Sequence, residues 1–194
     1  MTNSVSSSGR SGGEPTHHTG AERTGRQPVQ DLVRRFNLLP HPEGGYYRET
    51  YRSTEAVQRL EPETARSAST AIYYLLDGGA YSAWHRIASD ELWHFYAGDP
   101  LLVHILEDGG RIVTHRLGNA LQLADGVFQA LVPKGRWFAA EPTQPDGFSF
   151  VGCTVAPGFE FSEFELARAE DLQPWAGRNP ALVQRLLKQA GVTK

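Results

Sequence analysis

From Tyr46 onward the chain runs with an apolar–polar period of two, and it keeps that period for about a hundred residues. A period of two marks a strand with one buried face, because successive side chains point to opposite sides of a pleated backbone. The segments that carry it are YYRETYR (46–52), STAIYYLL (69–76), YSAWHRI (81–87), ELWHFYA (91–97), LLVHIL (101–106), RIVTHRL (111–117), FQALVP (128–133), RWFAAE (136–141) and FSFVGCTV (148–155). They are short, rich in β-branched and aromatic residues, and bounded by glycine, proline or aspartate. The Asp108-Gly109-Gly110 sequence between two apolar runs predicts a hairpin. Many short strands at this spacing predict an all-β domain: a sandwich, jelly roll or barrel.

The flanks change period. Val29, Leu32, Val33 and Phe36 follow helical spacing behind Pro28, and residues 38–45 (LLPHPEGG) break that helix. A closing helix is predicted over 180–190, with Asn179 as cap, Pro180 at its first position, Leu182, Val183, Leu186 and Leu187 as its stripe, and Gly191 as its stop. Residues 1–27 are Ser, Gly, Thr, Arg and Glu with almost nothing apolar, so they read as a disordered tail, and the adjacent His17 and His18 as solvated. Residues 28–194 read as one domain.

Hydrophobic residues at 40% and charged residues at 21% are the balance of a soluble globule. The net charge of −3, with no run of Lys or Arg, argues against nucleic acid or an anionic membrane as partner. No stretch approaches the roughly 18–20 apolar residues a bilayer demands, and no apolar leader opens the chain, so the expected location is the cytoplasm. Cys153 is the single cysteine, which excludes an internal disulfide, and its apolar strand predicts a buried residue rather than a nucleophile.

The sharpest motif spans residues 79–98, GAYSAWHRIASDELWHFYAG. Gly79 is followed by five residues, His85, one residue, Ile87, three residues, Glu91, six residues and Gly98. His85 and Ile87 share one face of a strand, and Glu91 opens the next strand with Trp93 and Phe95 on its own face. His94 has the opposite parity. Downstream, Gly126 precedes Pro133, Lys134, Gly135, Arg136, Trp137 and Phe138. These two stretches resemble the first and second motifs of the cupins, with Ile87 and Phe138 where two metal-binding histidines belong. The stretches HPEGGYYRE (41–49) and TVAPGFEF (154–161) resemble signatures of one branch, the cupin-5 family or domain of unknown function 985.

That resemblance implies a double-stranded β-helix, the cupin jelly-roll barrel, with flanking N- and C-terminal helices. It also implies a homodimer that covers sheet edges. Many cupins hold a transition metal with three histidines and a glutamate. Here only His85 and Glu91 stand at those positions, too few for a catalytic metal, so no cofactor is expected. Metal-free epimerases of the superfamily use a histidine at the position of His85 as a general base. The expected reading is therefore a metal-independent isomerase, epimerase or lyase acting on a small molecule, with His85 and Glu91 catalytic. Glu43, Tyr46, Arg48, Ile87, Trp93, Phe95, Gln129 and Phe138 are the candidate ligand contacts, and Tyr46, Tyr73, Tyr74 and Tyr96 the candidate acids. A non-catalytic metabolite-binding cupin and a metal-dependent oxygenase are the alternatives. The aromatic run from Trp93 to Tyr96, without a basic groove, reads as core and pocket wall rather than a base-stacking platform.

Overall fold

The apolar stripe of helix α1 (Arg26–Phe36) packs Val29, Leu32, Val33 and Phe36 on the outer face of a sheet, against Leu75 and Phe150. The structure, a computed structural model, describes residue 1 and residues 26–60, 63–175, 177 and 179–188. The sequence reading of residues 2–25 as a tail, and of His17 and His18 as solvated, lies outside the described residues. Helical structure already begins at Arg26, so the boundary at residue 27 falls two residues late.

Two six-stranded sheets follow. One contains β1 (Leu39–Pro40), β2 (Tyr46–Arg52), β5 (Thr70–Asp77), β13 (Phe148–Ala156), β7 (Asp90–Gly98) and β11 (Gln129–Val132), in that order. The other contains β10 (Gly126–Val127), β9 (Ile112–Leu117), β8 (Leu101–Leu106), β12 (Phe138–Pro142), β6 (Ser82–Ile87) and β14 (Phe164–Leu166). All pairings are antiparallel except β9 with β10. The main core lies between the sheets. Tyr74, Trp93, Val151 and Cys153 of the first meet Val103, Ile105, Leu117 and Phe138 of the second. This is the double-stranded β-helix that the motif resemblance implies, one of the all-β forms that the strand spacing allows.

Successive strands β5, β6, β7 and β8 alternate between the two sheets. Two residues close in sequence can therefore face each other across the barrel. The β8–β9 hairpin closes at Gly109 and Gly110, where the Gly110 N–H donates to the Glu107 carbonyl at 3.1 Å. The outer face of the second sheet, around Trp84, Leu106 and Ala139, is covered by α2 (Ala169–Leu172) and α3 (Pro180–Arg185). None of the helices is long and apolar enough to cross a membrane among the described residues.

Two elements depart from expectation. A hairpin of β3 (Ala56–Leu60) and β4 (Glu63–Ser67) fills the stretch between two period-two runs, to which the sequence reading assigns no element. Its residues are mostly polar, so periodicity could not reveal it. It is held instead by ion pairs from Arg59 and Arg66 to Glu163, at 3.3 and 2.7 Å. The closing helix ends at Arg185 rather than Ala190, because the Leu186 carbonyl turns to accept the Trp84 N–H at 3.0 Å. Ala190 and Gly191 lie outside the described residues.

Candidate functional site

Strand β6 carries the site's histidine, and a bulge sets its neighbours. Against β12, Phe138 opposes His85 and Ala140 opposes Ser82, so β6 spends one extra residue between those two pairs. The extra residue brings Ser82 to the same side as His85 despite their odd spacing. Trp84 is turned outward beneath α3.

Glu43 comes from the turn between β1 and β2, which presses onto the barrel. Gly44 and Gly45 have φ of 128° and 70°. A Cβ on Gly44 would sit 2.3 Å from the Tyr81 carbonyl oxygen, and one on Gly45 2.4 Å from that of Leu75. Only glycine permits both the backbone conformation and the approach. The Tyr74 hydroxyl ties the turn down by donating to the Gly44 carbonyl at 2.8 Å.

The result is a buried dyad. His85 Nδ1 lies 2.8 Å from the Ala83 carbonyl oxygen and 3.0 Å from Glu43 Oε2. Both neighbours are acceptors, so Nδ1 carries a proton and Nε2 is the ring nitrogen left for other partners. The Ser82 hydroxyl donates to Glu43 Oε1 at 2.9 Å, and His41 Nδ1 stands 3.6 Å from the same oxygen. Burial alone would raise the Glu43 pKa, but the His85 ring, with Ser82 and His41, outweighs it and holds the carboxyl well below the usual range. Burial works against a charge on His85, and Glu43 overcomes it, so the imidazole is a stronger base than a free one.

Glu91 opens β7 in the facing sheet, opposite Val155 of β13 and Val132 of β11. Burial pushes its pKa up to about 7, against a smaller downward pull from His85 and a further upward push from Glu43; the Cys153 thiol donates to it. Two carboxyl groups near one histidine are thus driven in opposite directions, one held as the anion and one kept protonated toward neutrality.

A cavity of about 140 Å³ opens here between the sheets. Of the residues singled out by sequence, His85, Glu91, Glu43, Ile87 and Trp93 line it. Five others lie elsewhere. Tyr46 and Arg48 have the wrong parity on β2: Tyr46 packs toward α1 and Arg48 is exposed. Gln129 is exposed on β11, where Ala130 and Val132 point inward, and it bonds His94 Nδ1 at 3.0 Å. Phe95 shares the parity of Glu91 but sits further along β7, packed against the main core. Phe138 is fully buried beside the His85 ring, with centroids 3.9 Å apart, so it fills the space next to the histidine without bordering the cavity.

Of the four tyrosines considered as acids, Tyr74 lines the cavity, and burial raises its pKa so the phenol stays protonated. Tyr73 and Tyr96 meet edge to face near Phe150, on the side covered by α1. His94 lies on the outer face, 3.0 Å from the Thr154 hydroxyl, as its parity predicts. Cys153 is buried, and burial together with Glu91 pushes its thiol pKa well up, the opposite of an activated nucleophile.

Sequence reasoning missed Tyr47, Arg52 and three phenylalanines of the segment after β13, Phe159, Phe161 and Phe164, all of which border the cavity. Tyr47 was legible from β2 parity. Arg52 was not, because a bulge between Glu49 and Tyr51 shifts the register. The phenylalanines lie in a segment with no regular period.

The metal that the fold often carries does not fit these residues. Ile87 and Phe138 offer no donor, His85 Nδ1 is committed, and no group of three His, Cys, Asp or Glu able to hold an ion occurs among the described residues.

The family described as Cupin superfamily (DUF985) matches residues 30–167, from α1 through β14. A crystal structure of a Shewanella oneidensis protein is similar at 39% identity, with a TM-score of 0.73, over 82% of this chain and 96% of that one. A hypothetical protein from Leishmania major is similar at 30% identity and a TM-score of 0.74, over 82% and 98%. The uncharacterized protein YML079W of Saccharomyces cerevisiae is 26% identical over 165 residues, 74% of this chain and 77% of that protein. A cupin-2 domain from Rhodospirillum rubrum, 11% identical, shares the fold with a TM-score of 0.54.

Proposed function

The chain belongs to the DUF985 family of the cupin superfamily, and we propose that its barrel cavity is a metal-independent proton-transfer site for a small carbonyl compound, of isomerase or epimerase type. The observation that carries this reading is the dyad. His85 is fixed through Nδ1 by a carbonyl and a buried carboxylate, on the wall of a cavity whose facing wall supplies a protonatable Glu91.

The chemistry follows from the charges. His85 Nε2 removes a proton from the carbon beside a carbonyl, and the imidazolium so formed is stabilised by Glu43, as in other orienting carboxylate–histidine pairs. Glu91, protonated toward neutrality, donates to the developing enolate oxygen. In an α-hydroxy carbonyl compound, passage of that proton from His85 to the neighbouring carbon, with the enediol's other hydroxyl returning a proton to Glu91, gives the isomer. A proton reaching the first carbon from water on the opposite face, with His85 releasing its own to solvent and the enol hydroxyl returning its own to Glu91, gives the epimer. Neither route needs a redox partner.

Deuterium incorporation tests this. Small carbonyl compounds incubated with the protein in D₂O are expected to exchange their α-proton, with a bell-shaped pH profile, and His85→Asn is expected to slow exchange by about 10²–10⁴-fold. A compound that binds the cavity and never exchanges would leave a metabolite-binding cupin in place of an enzyme.

A further inference from the structure

Resting on the cavity as a substrate site, we infer that it takes a small organic cation, an amine or alkylated ammonium compound, and turns away phosphates and carboxylates. Among the described residues, four glutamates border the cavity, Glu43, Glu49, Glu91 and Glu160, against one guanidinium, Arg52; Glu91 is kept toward neutrality by burial, so the charge rests on the other three. Glu43 lies deep in the cavity, where its oxygens are taken up by His85 Nδ1 and the Ser82 hydroxyl. His41 adds no compensating charge, since burial lowers its pKa.

Arg52 is already committed. Its Nε donates to Glu49 Oε1 at 3.0 Å and its Nη2 to Glu49 Oε2 at 2.8 Å. Its Nη1 donates to Glu160 Oε1 at 2.9 Å, and Nη2 also reaches the Phe159 carbonyl at 3.3 Å. Two carboxylates therefore share one cation, and that wall keeps a net negative charge. A phosphate arriving there meets two carboxylates and a guanidinium whose fork is occupied, which is the reverse of an anion site. The side chains of Glu49 and Glu160 are 41% and 44% exposed, so this charge sits at the mouth where a substrate first meets it.

The same mouth is aromatic. Phe159, Phe161 and Phe164 meet edge to face with centroids 5.0, 6.2 and 6.4 Å apart, and Tyr47 borders the cavity beside them. Ring faces attract an alkylated cation through their quadrupoles, and nearby carboxylates supply the countercharge. A neutral molecule of the same shape gains the apolar contact and neither electrostatic component.

Choline and its neutral isostere 3,3-dimethylbutan-1-ol, titrated against the full chain beside inorganic phosphate, test the inference by calorimetry and tryptophan fluorescence, Trp93 lining the cavity. Choline is expected to bind about tenfold more tightly than the isostere, and phosphate not at all. The double variant Glu49→Gln, Glu160→Gln frees Arg52, and is expected to weaken choline about tenfold and to admit phosphate. Arg52→Gln, which keeps both carboxylates, is expected to tighten choline, and it reads the charge independently should the double variant fail to fold. Choline binding no tighter than the isostere, or phosphate binding the wild type as well as choline does, overturns the inference. The wild-type chain separates the two readings: exchange without cation preference sinks this one alone, and cation preference without exchange of any carbonyl compound sinks the catalytic one alone.

Discussion

The second sheet holds two buried histidines, each against a glutamate, and only one of them faces the cavity. His85 on β6 meets Glu43 through Nδ1, with Nε2 uncommitted among the described residues. His104 on β8 uses both nitrogens: Nδ1 lies 2.8 Å from the Thr114 hydroxyl and Nε2 3.2 Å from Glu141 Oε1. Glu141 is in turn closed off by Arg185 of α3, and the hydrogen bonds from His104 and Arg185 outweigh burial to lower its pKa. Parity separates the pair. Val103 and Ile105 beside His104 point into the main core, which turns His104 to the outer face. A buried His–Glu pair is therefore not in itself a catalytic signature. What matters is a ring nitrogen left over, next to a space a substrate can enter.

The largest effect expected from breaking this contrast is on rate. His85→Asn should reduce α-proton exchange by about 10²–10⁴-fold, whereas His104→Asn should leave exchange intact and cost about 2 kcal/mol of stability. Exchange rates and thermal melts of the two variants, read side by side, check it. If both variants lose exchange equally, the distinction drawn between the histidines is wrong.

Next comes Glu91. Its folded pKa of about 7 stands above its ordinary 4.5, so the folded chain holds the proton more tightly than the unfolded one. Stability from this group is full below pH 4.5 and falls as pH rises to about 7, by about 3 kcal/mol in all. His85, whose pKa is raised, has the same sign: its contribution is present below its ordinary 6.5 and lost as pH climbs through the raised value. Urea titrations from pH 5 to 8 should show stability falling, and Glu91→Gln should flatten much of that slope. An unchanged slope would remove Glu91 as the raised carboxyl.

Glu43→Gln is milder. It should cost about tenfold in exchange rate and move the acid limb of the pH profile to lower pH, since His85 loses the charge that strengthens it. A slower rate with an unmoved limb would mean that Glu43 only positions the ring. Smallest is Arg185→Gln, on the closed pair. With that side chain 56% exposed, the loss should be within about 1 kcal/mol in a chemical melt, with exchange unaffected.

Much of this architecture was readable in advance. Strands β2 and β8 end where their period-two runs end, and the inward set His85, Ile87, Glu91 and Trp93 follows from alternation alone. Alternation failed where the backbone departs from it. The bulge in β6 brings in Ser82, and the one in β2 brings in Arg52. It also says nothing about depth along a strand, which is why Phe95 shares a parity with Glu91 and still lies away from the cavity. Polar hairpins such as β3–β4 and aperiodic segments such as residues 157–163 carry no pattern to read.

By itself, then, the sequence determined the run of short strands and the facing of His85, Ile87, Glu91 and Trp93 into one space, while its resemblance to the cupin motifs implied the barrel and the two metal donors that Ile87 and Phe138 replace. The facing depends on local spacing, which a strand converts directly. Only the tertiary structure decided that Glu43 and not Glu91 holds the His85 ring, that Glu91 is the group kept protonated, and that Arg52 is spent on two carboxylates. Those outcomes depend on which residues distant in sequence are buried together, and burial and neighbouring charge, rather than residue type, set what an ionisable group can do.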